Sequence, residues 1–238
     1  MPFRMKRAAS PRTWPVPRKG TKWIQRPSPG PHPQEESLPV LLVLRDLLQV
    51  VRSQREARIL LREGKVRVDG KVVKDPARGL GLMDVLSLGA PAVQDYRVLK
   101  DKRGKLRLLP IPHAEASFKL GRVRGKHTVP GGKVSLSLHD GRNVLVAPDT
   151  EFRVGDTVRL ELPGQKVLER LPLTAQALAY IAGGSHVGEL ARVERVEVLT
   201  SSQANRIHFK EGFFTIKDYV FVVGQDRPQV TLPEGLGP

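Results

Sequence analysis

At 238 residues the chain exceeds one small module, so two or three domains are expected. Its 40 Lys+Arg against 24 Asp+Glu give a formal net charge of +16. That excess points to a polyanionic partner, nucleic acid before an anionic membrane surface, while 39% hydrophobic residues exclude a merely disordered basic tail. The absence of cysteine excludes disulfides and thiolate metal sites. The six histidines lie far apart without a ligand spacing, so neither a metal nor another cofactor is expected. No apolar run approaches the roughly 18 residues of a membrane span, and the opening MPFRMKRAASPRTWPVPRKG lacks the apolar stretch of a secretory signal. A soluble, cytoplasmic protein is the expectation.

Charge is unevenly distributed. Net balances are +6 over residues 1–36, +4 over 37–90, +8 over 91–134 and −2 over 135–238. The N-terminal half is therefore expected to face the polyanion, and the remainder solvent or protein.

Residues 1–36 hold eight of the 20 prolines, which predicts an extended basic arm without regular elements. Trp14 and Trp23 sit among its Arg and Lys residues, placed to anchor on protein or to stack on bases. Ser37 is expected to open a helix, SLPVLLVLRDLLQVV, with Leu41, Leu44, Leu48 and Val51 at helical spacing and Pro39 in its first turn. Ser53 caps a second helix, Glu56 completes the S-x-x-E capping box and Gly64 is its stop. At about 100° per residue, Arg55, Arg58 and Arg62 share one face, and Ala57, Leu60 and Leu61 fall opposite.

KVRVDGKVVK follows as two alternating strands around Asp69-Gly70, a two-residue hairpin signal. Pairing across the turn groups Val66, Val68, Lys71 and Val73 on one face and Lys65, Arg67, Val72 and Lys74 on the other. Helix and hairpin together would present a basic ridge of Arg55, Arg58, Arg62, Lys65, Arg67 and Lys74; the bland alternative is a solvated face with no ligand. From about residue 91 the period changes to short strands: a hairpin around Asp101–Lys105, another with Asp140-Gly141-Arg142-Asn143 at its turn, and a strand in FRVGDTVRLELP. This spacing suggests a small barrel. A third β unit closes the chain, and the tail QDRPQVTLPEGLGP is expected to be loose.

Taken together, these segments resemble a known family. REARILLREGKVRVDGKVVKDP looks like the RNA-binding module named after small-subunit ribosomal protein S4. Alone, the module would also suit a pseudouridine synthase. RPSPGPHPQEESLPVLLVLRD, GLMDVLSL, GGKVSLSLHDGRNVLVA, LPGQKVLERLPL and TIKDYVFVVG resemble the ribosomal protein S4e family of archaea and eukaryotes, in the family's order, and GGSHVGELARV resembles a KOW motif. The resemblance implies an α+β chain: an extended arm (1–36), a helix-pair and hairpin S4-type module (37–90), a central β-barrel domain (91–171), a KOW-containing SH3-like domain (172–225) and a tail (226–238).

It also implies a structural constituent of the small ribosomal subunit that binds ribosomal RNA beside neighbouring ribosomal proteins, with no catalysis, no small-molecule substrate and no membrane. The implied RNA contacts fall on Arg55, Arg58, Arg62, Lys65, Arg67, Lys71 and Lys74, and in the arm on Arg4, Lys6, Arg7, Arg12, Lys19 and Lys22. Ser185 and Glu189 depart from a basic KOW loop, which argues against strong RNA contact there and reduces GGSHVG to turn chemistry. An RNA-modifying enzyme lacks a catalytic domain or motif in this sequence. A transcription-elongation accessory protein would explain the last β unit but not the arm, helices and hairpin.

Overall fold

The computed structural model describes residues 4–90, 92–148 and 151–232. It is mostly β, with few helical turns and several sheets. Two compact units divide it: Met1–Lys100 with Lys105–Ser117, and Asp101–Gly104 with Phe118–Pro238. Among the described residues no helix is long and apolar enough to cross a membrane.

In the first unit the proline-rich start is not devoid of regular structure. Strand β1 (Arg4–Lys6) pairs antiparallel with β2 (Trp23–Gln25). The pair survives because the prolines flank these two triplets and leave their N–H donors intact. Met5 lies opposite Ile24, and both pack on the unit's core, as does Trp14, only 2% exposed. Leu106 donates its N–H to Thr13 O at 2.8 Å. Further along, Ser28 N–H bonds Ala77 O at 2.7 Å, and buried His32 Nε2 lies 3.0 Å from the Asp84 carboxylate.

Ser37 does not open a helix. Ser37–Pro39 is strand β3, and helix α1 begins at Val40 (Val40–Leu42) before widening into a π-helical turn over Val43–Leu47. Pro39 explains the shift, because it drives the residue before it out of the helical region. Helix α2 (Gln54–Arg62) is capped as the spacing predicts: Ser53 Oγ accepts the Glu56 N–H at 3.2 Å, and Glu56 Oε2 accepts the Arg52 N–H at 2.9 Å.

The sheet strands then follow in order: β4 (Val66–Val68), β5 (Lys71–Val72), β6 (Gly79–Gly81), β7 (Val85–Leu88), β8 (Gln94–Lys100) and β9 (Leu106–Ile111). β6 pairs with β3, and the others form a five-stranded sheet in the order β5-β4-β7-β8-β9. Thus the hairpin around Asp101–Lys105, expected in a separate barrel, extends the sheet of the S4-like segment, with Val85 opposite Arg97. Pairing β8 to β7 covers an edge that β7 would otherwise leave bare.

The second unit has two five-stranded sheets. One has the order β12-β11-β10-β13-β14, from β10 (Phe118–Thr128), β11 (Val134–Leu138), β12 (Asn143–Val146), β13 (Thr157–Glu161) and β14 (Val167–Leu171). The other has the order β18-β17-β16-β15-β19, from β15 (Leu178–Ile181), β16 (Leu190–Glu197), β17 (Arg206–Phe209), β18 (Phe214–Ile216) and β19 (Val220–Gly224). Each is organised by a long central strand with a register shift, between Val123 and Gly125 in β10 and between Val193 and Arg195 in β16. Such bulges let one strand bend and pair on both sides.

In the first sheet, Val123, Leu136, Leu138, Val158 and Leu160 form an apolar core. In the same unit, Lys119 Nζ sits 2.9 Å from the Asp140 carboxylate with both side chains 1% exposed, and Arg142 Nε lies 3.1 Å from it. Burial pushes the Asp140 carboxyl up, but Lys119, His139 and Arg142 outweigh it and hold the group below the usual carboxylate range. The tail is not loose where it is described. Gln229 donates its N–H to Val223 O at 2.8 Å and its amide to Glu169 at 2.9 Å, and Val230 is buried. Its last six residues lie outside the described ones.

Candidate nucleic-acid interface

α2 packs inward through Ala57 and Leu61, both buried, while Arg55, Arg58 and Arg62 are exposed. After three intervening residues the chain enters β4, whose Val66 and Val68 are buried and whose Arg67 is exposed. The turn of the β4–β5 hairpin has positive φ at both central residues, Asp69 at 50° and Gly70 at 75°, the geometry that suits the twist of a tight hairpin. Asp69 is also pinned from the side: its carboxylate accepts the Val85 N–H at 2.9 Å. Lys65 O accepts the Gly89 N–H at 2.7 Å, which ties the end of α2 to the sheet.

The ridge cations are therefore held on a firm frame. Among the described residues Arg55, Arg58, Arg62, Arg67, Lys71 and Lys74 are exposed and have no hydrogen-bond or ion-pair partner. Lys65 differs, being half-buried and paired with Glu63 at 2.7 Å. The Glu56 carboxylate is engaged by the Arg52 amide and the Ser53 hydroxyl, which hold it below its usual range, and the Arg52 charge acts in the same direction.

In the arm, Arg4, Lys6, Arg12, Lys19 and Lys22 are exposed. The β1 alternation turns Arg4 and Lys6 away from the core that Met5 meets. Arg7 does not join that surface. It is 9% exposed, and its Nη1 donates to Pro17 O at 3.2 Å. The two indoles divide their roles: Trp14 is in the core, whereas Trp23 is 49% exposed with Lys22 Nζ 5.6 Å from its ring.

Sequence reasoning about individual residues missed a third group. Toward the turn of the β10–β11 hairpin, Arg124, Lys126, His127 and Lys133 are exposed and without partners among the described residues. Its signal was the +8 balance of residues 91–134.

GGSHVG forms a turn. Gly184 and Gly188 have φ of +86° and +80°, and a Cβ on Gly188 would meet the backbone of Asp101 and Lys102. His186 in this turn is bonded to Glu189 at 3.0 Å and stacked on Phe213 at 3.9 Å between centroids.

Comparison with known proteins gives this arrangement its class. An S4 domain model matches residues 47–86, the segment that carries α2 and the β4–β5 hairpin, and a domain described as RS4NT (NUC023) matches 3–35. The model described as Ribosomal family S4e matches 93–167. The small ribosomal subunit protein eS4 of Methanothermobacter thermautotrophicus is 44% identical over 236 residues, covering 97% of this chain and 96% of the relative. That of Methanocaldococcus jannaschii is 39% identical over 96% of each chain. The crystal structure of the 30S ribosomal protein S4e from Thermoplasma acidophilum superposes with a TM-score of 0.70 at 36% identity, covering 80% of this chain and 96% of that one. The chain belongs to ribosomal family S4e, a family of structural proteins of the small ribosomal subunit and not of enzymes.

Proposed function

We propose that the chain binds ribosomal RNA in the small subunit through the α2–hairpin ridge, the exposed cations of its N-terminal segment and the turn end of the β10–β11 hairpin. One observation carries this reading: apart from Lys65, paired with Glu63, the cations at these places are exposed and among the described residues form no ion pair. Solvated charges meant only for solubility gain from mixed signs, whereas unpaired guanidinium groups on a rigid helix and hairpin are preorganised for phosphate. Binding involves no bond chemistry. Arginine forks hold phosphate oxygens bidentately, condensed counterions are released, and RNA helices become fixed in position. Aromatic residues make up only 5% of the chain, which favours reading of backbone shape over serial base stacking.

The β15–β19 sheet is the KOW-type, SH3-like unit in this reading. Its His186–Glu189 and His208–Glu197 pairs, with Ser185 in the turn, suit a surface that faces neighbouring ribosomal proteins. The protein thereby acts in the cytoplasm, on the ribosome.

The test neutralises Arg58 and Arg62 together to glutamine and measures affinity for small-subunit RNA across a salt series. Every phosphate that is no longer neutralised lowers the log–log slope by roughly 0.7–0.9, so the double variant is expected to flatten it by about 1.4–1.8. An unchanged slope removes the ridge from the interface.

A further inference from the structure

Arg7 is buried without a counter-charge. Its guanidinium makes a single hydrogen bond, to Pro17 O, and its Nε is enclosed with no partner. No carboxylate among the described residues pairs with it. An uncompensated buried cation is costly, so a chain that keeps one gains when an anion arrives.

Arg7 lines a cavity of about 680 Å³ within the first unit. One wall is the arm, with Pro15, Val16 and Pro17; the other is the stretch that follows the π-helical turn, with Arg45, Asp46, Gln49 and Arg52. Asp46 is the only carboxylate of this lining. Both of its oxygens are occupied by Arg45, through Nε at 2.7 Å and Nη2 at 2.8 Å. Arg52 is exposed, and among the described residues its guanidinium makes no hydrogen bond or close ion pair, although the Glu56 carboxylate feels its charge. Three guanidinium groups thus line the cavity with one carboxylate, and that carboxylate is taken up by Arg45.

The backbone is irregular at the same place. After the widened turn Val43–Leu47, Gln49 has φ of 55°, and its side-chain amide is exposed and unpartnered. π-bulges and left-handed non-glycine residues tend to cluster where a chain binds.

We propose that this cavity receives one unstacked nucleotide of an RNA strand, its phosphate between Arg7 and Arg52 and its sugar and base against Val16 and the flanking prolines. The cavity falls within the ~300–1,000 Å³ of small-molecule sites and exceeds what a lone carboxylate would fill. The unpaired Arg4, Lys6 and Arg12 elsewhere in the arm continue a path for further phosphates, which an acidic protein terminus would leave unused. The inference rests on the RNA-binding reading and adds to it a site that grips a single residue rather than a helix backbone.

The experiment titrates the isotope-labelled full chain with adenosine 5′-monophosphate, inorganic phosphate, a single-stranded RNA tetranucleotide and an acidic peptide, following backbone amide shifts. The nucleotide and the tetranucleotide are expected to shift Val16, Gln49, Val51 and Arg52, with inorganic phosphate weaker. Removing one charge-assisted hydrogen bond in Arg52→Gln should weaken binding roughly tenfold or more, and Arg7→Lys, which keeps the charge but not the fork, should weaken it less than Arg7→Gln. The proposal is overturned if neither RNA ligand shifts these amides, if Arg52→Gln binds them as the parent does, or if the acidic peptide alone occupies the cavity. A parallel titration with duplex RNA separates the two readings: shifts on α2 without shifts at the cavity leave the ridge standing and remove the pocket, and no shifts anywhere remove both.

Discussion

Along α2 and the β4–β5 hairpin, Arg55, Arg58, Arg62 and Arg67 stand exposed and form no ion pair among the described residues. In the second unit, away from the β10–β11 turn, several basic groups are answered from within. Lys119 has Asp140, Arg170 has Asp156 at 2.8 Å, His208 has Glu197 at 2.8 Å and Arg206 reaches Gln203 at 3.3 Å. Glu197 reflects that pairing, its carboxyl being held below the usual range first by the His208 hydrogen bond. On the proposed reading, the count of cations is a poorer guide to the RNA-facing surface than their pairing. What matters is whether the fold has already supplied the counter-charge.

The comparison breaks most sharply at Asp140. Asp140→Asn removes the carboxylate that faces buried Lys119, and denaturant unfolding of the full chain should show a loss of about 3–5 kcal/mol. Acid should act in the same direction. Because the native carboxyl is depressed, its contribution is whole above the unfolded carboxylate value near pH 4 and is lost as pH falls through the lower native value. Stability that stays flat on acidification in this range would make the pair incidental.

On the first unit, Ser53→Ala removes the Oγ that accepts the Glu56 N–H and should cost about 1 kcal/mol, while leaving every ridge cation in place. The smallest effect sharpens the contrast from the other side: Arg206→Gln should leave the salt slope for small-subunit RNA unchanged, whereas the Arg58 and Arg62 pair lowers it. A slope that falls with Arg206 would move RNA onto the last sheet.

The helix–hairpin segment was readable because its signals are local. S-x-x-E caps α2, Asp-Gly turns the hairpin, and alternation sorts Val66 and Val68 from Arg67. Features that depend on distant partners were not. The burial of Trp14, the pairing of β1 with β2 and the addition of β8 to β7 are decided by residues far along the chain. Proline count argued against the β1–β2 pair because it ignores where the prolines fall. Arg7 was grouped with the arm's exposed cations, since nothing local distinguishes it from Arg4 or Arg12; its burial follows from the loop that returns through Pro17. The helix start was misplaced for a local reason, the effect of Pro39 on Leu38.

The bond from Leu106 to Thr13 has a consequence for biogenesis. During synthesis Thr13 is made 93 residues before Leu106 (106 − 13), so this bond closes only after the β1–β2 pair and α2 have been made. Closing so wide a loop is slow compared with forming α2, and a nascent chain in that interval is free to meet RNA first.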